Sequence, residues 1–187
     1  SDVMEVYKHI RDNDHNAAIT AIETLVGRLD SDNNLLAQLL VEKAMIILAK
    51  GDLAESVAAF EEAYHADPNN DTLWEGLATF YYQLGKSTES MFYFNKCIES
   101  DNLELKARSL NNVGAILLPQ SEPEKARKYH SKALEINERI NCINQQAHCH
   151  FNLATISYQQ GHRNRAKQHL TEAIRIANLA DPKEDET

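Results

Sequence analysis

Glycine and proline are scarce in this chain, with six and four among 187 residues. So few breaks favour long helices over many short strands. No β-branched run alternates with period two, so almost no sheet is expected. No stretch approaches the roughly eighteen apolar residues of a membrane-spanning helix, so no membrane partner is expected. The opening SDVMEVYKHIRDND is charged throughout and is not expected to be a signal peptide. The three cysteines, Cys97, Cys142 and Cys149, form no short-spaced pair. An odd count in a helical chain argues for reduced thiols and a cytoplasmic location.

Chemical motifs are missing as well. The chain holds no GxGxxG, GxxxxGK[ST], HExxH or CxxC. Its densest cluster is Cys142, His148, Cys149 and His150, which fits no common zinc spacing, and His148 and His150 point to different faces of a helix. No nucleophile, base and orienting group converge. The expectation is therefore a non-enzyme with no catalytic residue, no metal and no cofactor.

Charge is unevenly spread over the net −9. Residues 1–95 carry 6 Lys+Arg against 16 Asp+Glu, and residues 96–180 carry 12 against 8. A net acidic chain is a poor nucleic-acid binder, because neutralising phosphates takes a concentrated cationic surface. The asymmetry would steer an acidic ligand toward the C-terminal half, or it merely solvates helix surfaces.

What is present is a repeat. Between Asp71 and Glu104, Trp74, Leu77, Ala78 and Tyr81 form one apolar stripe, Leu84-Gly85 break it, and Ser90, Phe94 and Cys97 form a second. Two amphipathic helices around a glycine turn fit this spacing. Thirty-four residues earlier the layout recurs as Leu40, Ala44, Ile47, Gly51, Ser56, Phe60, Ala63 and Pro68. On these residues the chain resembles the tetratricopeptide repeat (TPR) family, whose pattern asks for Trp or Leu, Leu-Gly or Leu-Ala, Tyr, a turn Gly, Ala, Phe, Ala and Pro. Ser90 stands where Ala is usual and Asn102 where Pro is usual.

The resemblance implies an all-α, right-handed α-α superhelix, a TPR solenoid of about five helix-turn-helix repeats. Their approximate spans are 1–34, 37–70, 71–104, 107–140 and 147–180, in a single solenoid over 1–180 with a polar tail at 181–187. Residues 30–36 read as a polar connection, and the fourth unit is expected to begin near Ala107. Ser121-Glu122-Pro123-Glu124 offers a capping box with proline in the first turn. The last two units are offset by 40 residues, Val113 to Leu153 and Ala133 to Ala173, which resembles the kinesin-light-chain variety and predicts longer helices around Asn141. Ala44, Ala78, Gly114 and Ala154 should sit where paired helices cross, with Phe60, Trp74, Tyr81, Phe94 and Leu170 filling the space between. His130 reads as a packed core residue.

In TPR proteins the first helices line a concave face that binds extended peptides or partner helices. By register that face presents Gln38, Val41, Met45 and Leu48, then Glu75, Thr79 and Tyr82. Farther on it presents Arg108, Asn111, Asn112 and Ala115, then His148, Phe151, Asn152, Thr155 and Tyr158. Asn112 and Asn152 stand 40 apart, at the place where kinesin-light-chain-like and bacterial peptide-sensing relatives hold a peptide backbone. A carboxamide suits that task because it has both a donor and an acceptor. Glu42 and Gly76 break the ladder in the earlier units. A chaperone-type carboxylate clamp would use Arg108 and Asn112, but Val41 and Met45 stand where it needs Lys and Asn.

The expected function is a non-catalytic interaction module for a protein or peptide partner. Asn112 and Asn152 would hold the backbone, Arg108 an acidic group, and Tyr82, Phe151 and Tyr158 apolar side chains. Two alternatives stand beside it. One is a sensor or adapter segment of a longer bacterial transcription regulator or signalling kinase. The other is a self-associating scaffold that dimerises through an uncapped C-terminal end.

Overall fold

The turns between paired helices need a residue that leaves the helical basin at low cost. Gly51 and Gly85 take φ of 89° and 70°, a region a Cβ penalises, and Gly161 does the same. At the other pair turns Asn13 and Ser121 adopt φ of 57° and 61°, and Asn141, between two successive pairs, adopts 54°. Short polar side chains tolerate this region better than most.

The computed structural model describes residues 2–29 and 34–180, and among these residues there are ten helices and no strand. They are α1 (Asp2–Arg11), α2 (His15–Val26), α3 (Asn34–Ala49), α4 (Leu53–Ala66), α5 (Asp71–Gln83), α6 (Ser87–Glu99), α7 (Leu103–Leu117), α8 (Pro123–Arg139), α9 (Ile143–Gln159) and α10 (Arg163–Ala180). The lengthening predicted around Asn141 is present: α8 and α9 have 17 residues each, against 13 in α5 and α6. Residues 181–187, read as a tail, lie outside the described residues, as do 30–33.

Helix starts correct the sequence reading in three places. Helix α3 begins at Asn34, inside the expected polar connection, because Leu35 and Leu36 pack onto apolar clusters. Helix α7 begins at Leu103 instead of near Ala107, since Asn102 caps it by accepting from the Glu104 and Leu105 amides at 3.1 Å each. That cap also accounts for asparagine where the repeat usually has proline, and is worth about 1 kcal/mol. The capping box at 121–124 does not form: Ser121 supplies the left-handed turn, and Glu122 is an N-cap without a side-chain bond. Pro123 does occupy the first turn. Asn70, within a formal glycosylation triplet, is buried and caps α5.

The chain divides into two compact units, Ser1–Tyr93 and Phe94–Thr187. In the first, Val6, Ala18, Ile22, Leu39 and Ile46 join α1, α2 and α3, and Leu40, Ala44, Ile47, Phe60, Ala63, Leu73 and Phe80 join α3, α4 and α5. The crossing residues behave as the spacing predicts, and two of them are tied by a further bond. Buried Ser56 donates its hydroxyl to the Ala44 carbonyl at 3.0 Å, and buried Ser90 donates to that of Ala78 at 2.8 Å. A serine where alanine is usual thus finds its partner on the facing helix, at a net value of about 1 kcal/mol.

In the second unit Leu110, Ala133 and Cys149 form a core between α7, α8 and α9. First helices of successive pairs touch in each unit, α3 with α5 and α7 with α9. Phe60, Phe94 and His130 occupy matching buried positions, whereas Leu170 is 43% exposed on α10. Trp74 and Tyr81, also expected as fillers, are half-buried, and the Trp74 indole donates to the Pro68 carbonyl.

Candidate functional site

Each unit presents a first-helix face. In residues 1–93 that face comes from α3 and α5. Val41, expected on it, is instead buried, while Gln38, Met45 and Leu48 are half-buried. Gly76 is buried beneath Val41 and Phe60: a Cβ there would lie 2.7 Å from Val41 Cγ1 and 3.0 Å from Phe60 Cε1. No asparagine fits that position, which is the physical reason the ladder fails in this unit. Glu42, at the equivalent place on α3, is half-buried. Burial first, and then the neighbouring Glu75 carboxylate, push its pKa above the ordinary carboxylate value. Thr79 is half-buried and donates to the Glu75 carbonyl at 2.9 Å, and Tyr82 is 54% exposed.

In residues 94–187 the face comes from α7 and α9, and its asparagines divide. Asn112 is exposed. Asn111 is half-buried, and its Oδ1 is the hub of a polar cluster. That oxygen accepts from Asn152 Nδ2 at 3.1 Å and lies 2.5 Å from His130 Nδ1, with Cys149 Sγ at 3.9 Å. Asn137 Nδ2 in turn reaches Cys149 Sγ at 3.6 Å.

Burial lowers the His130 pKa to about 4, so the ring is neutral near pH 7. Since an amide oxygen only accepts, the facing Nδ1 carries the proton and donates to it. The other side of the ring closes on Gly114, where a Cβ would come within 2.7 Å of Nε2. Burial likewise raises the Cys149 thiol to about 11, which keeps it protonated.

The consequence for the predicted site is specific. Asn152 spends a donor on Asn111 inside the α7–α9 contact, so it is not the twin of exposed Asn112. Arg108 is half-buried and ion-paired with Glu104 at 3.0 Å. Thr155 bonds the Phe151 carbonyl, and Tyr158 is 70% exposed. His148 and Phe151 turn toward α10, where with Leu170, Ala173, Ile174 and Ala177 they line an open cavity of about 860 Å³. The cysteine–histidine cluster disperses: Cys149 is buried, and His150 meets His169 of α10 with 3.1 Å between their Nδ1 atoms.

Sequence reading missed the Asn111–His130–Asn152 cluster. Its one visible sign was a histidine where the repeat usually has an aromatic ring, facing two adjacent asparagines.

Family models described as tetratricopeptide repeat match residues 3–71, 48–107 and 105–178. Among solved structures the chain is similar to BtubC (BKLC) from P. vanneervenii, with TM-score 0.78 and 17% identity over 97% of this chain and 80% of that one. It is similar to pilF of Pseudomonas aeruginosa at 0.76 and 14%, over 96% and 83%. A third is a set of nearly identical TPR-like repeats from Podosopora anserina, at 0.68 and 14%, over 95% and 93%. A search of curated proteins finds no match.

Proposed function

Because the chain belongs to the tetratricopeptide repeat family, we propose that it is a non-catalytic protein-interaction module that holds a peptide segment or partner helix on its first-helix faces. One observation carries the reading. Helices α7 and α9 lie side by side and expose Asn112, Ala115 and Tyr158, with Thr155 and Arg108 partly accessible beside them. The Asn112 carboxamide offers a donor and an acceptor to an extended backbone, and the Tyr158 ring offers apolar area with a polar tip. Arg108 adds positive charge for an acidic group. Asn111 and Asn152 act as positioning residues that fix α7 against α9. Tyr82 and Thr79 are the corresponding contact residues of the first unit.

No described helix is long and apolar enough to cross a membrane, and three free thiols fit a reducing cytoplasm. Exposed Leu170 and Ile174 beside Phe151 favour self-association through α10 as the second reading.

The test uses a peptide selected for binding from a random library and titrated calorimetrically. Asn112→Ala and Tyr158→Ala should each weaken binding by roughly tenfold, the scale of one lost interface anchor. Unchanged affinity in both variants rejects the α7–α9 face as the binding surface.

A further inference from the structure

A second surface lies on the other helix of the pairs. On α4, Val57, Phe60, Glu61, Tyr64 and His65 recur at helical spacing along one face. Leu77, Phe80 and Tyr81 of α5 lie below them, and Tyr93 of α6 closes the far side, enclosing a cavity of about 220 Å³. Its rings are locked together. Tyr81 stacks parallel on Tyr93 with centroids 5.6 Å apart, Phe80 meets Tyr81 edge-on at 5.2 Å, and Phe60 meets Phe80 at 5.3 Å. Tyr64 is 56% exposed at the mouth, beside the Glu61 carboxylate.

We infer that this tyrosine-lined cleft is a docking site for an arginine side chain of a partner peptide. One physical rule and two observations point to a cation and not merely to an apolar group. Aromatic faces attract positive charge, and a guanidinium stacks on them as an ammonium does not. The cluster already draws one cation, since Lys86 Nζ lies 5.8 Å from the Tyr81 ring centre. Residues 1–93 also carry 6 Lys+Arg against 16 Asp+Glu, so the surrounding field favours a basic partner. Glu61 would pair with the guanidinium that the rings hold. The cleft is separate from the first-helix face, because Leu77, Phe80 and Tyr81 lie on the opposite side of α5 from Thr79 and Tyr82.

The experiment titrates N-acetyl-arginine amide into the full chain labelled at tyrosine and follows ring resonances by NMR. Saturable shifts at Tyr64, Tyr81 and Tyr93 are expected. They should weaken roughly threefold in Glu61→Gln and strengthen in Lys86→Ala, which frees the Tyr81 face. N-acetyl-norleucine amide, which lacks the charge, should give little effect. Shifts as large with norleucine, or no saturable shift with arginine, overturn the inference. Tyr64→Ala removes a largely exposed ring, so its loss of binding would not reflect unfolding.

Discussion

Replacing Phe60 by alanine is expected to cost about 3–5 kcal/mol of unfolding free energy, the usual range for a buried phenylalanine. The ring is 3% exposed, packs edge-on to Phe80, and lies against the spot where Gly76 leaves no room for a side chain. Loss of the ring removes one of the contacts between α4 and α5 and leaves a gap beside Val41 and Gly76. Urea titration of the full chain should show the transition shifted to lower denaturant. Phe92→Ala serves as the comparison: its ring is 57% exposed and should matter by no more than about 0.5 kcal/mol. Similar shifts in the two variants would mean that the core between α3, α4 and α5 is not packed as described.

Acidification should unload a second large effect at His130. The unfolded histidine takes up a proton near 6.5 and the folded one only near 4. Between those values the unfolded chain binds more protons, so stability falls as pH falls. The contribution is fully present above pH 6.5 and gone below pH 4, a loss of about 3 kcal/mol for a shift of this size. Protonation would also oblige a charged ring to sit at 1% exposure beside Gly114. His130→Phe restores the ring type found at Phe60 and Phe94 and removes the titration. Stability measured at pH 7 and pH 4 should therefore drop less in the variant, by about 3 kcal/mol. Parallel losses in the two proteins would show that His130 does not titrate from the buried position.

The sequence made the fold legible where one residue type has few alternatives. A glycine at the end of an apolar stripe marks a bend, so Gly51 and Gly85 located two turns. Alanine recurring at 34 residues located the crossings at Ala44 and Ala78. The reading failed where neighbours in the chain compete. Asn111 and Asn112 differ by about 100° of helix rotation, and periodicity alone cannot say which turns inward. His130 decides it, because its Nδ1 donates to Asn111 Oδ1 while Asn112 is exposed. Leu170 failed differently: its place in the repeat is a filler's, yet it is half-open to solvent on the wall of the α9–α10 cavity. The start of α7 was misread because Asn102 looked like a departure from the pattern, whereas its side chain is the cap.

Backbone NMR mapping with the selected peptide tests most directly whether α7 and α9 offer their exposed row to a partner. The prediction is that shifts concentrate at Arg108, Asn112, Ala115, Thr155 and Tyr158. Shifts confined to α8 and α10, with that row unmoved, would contradict it.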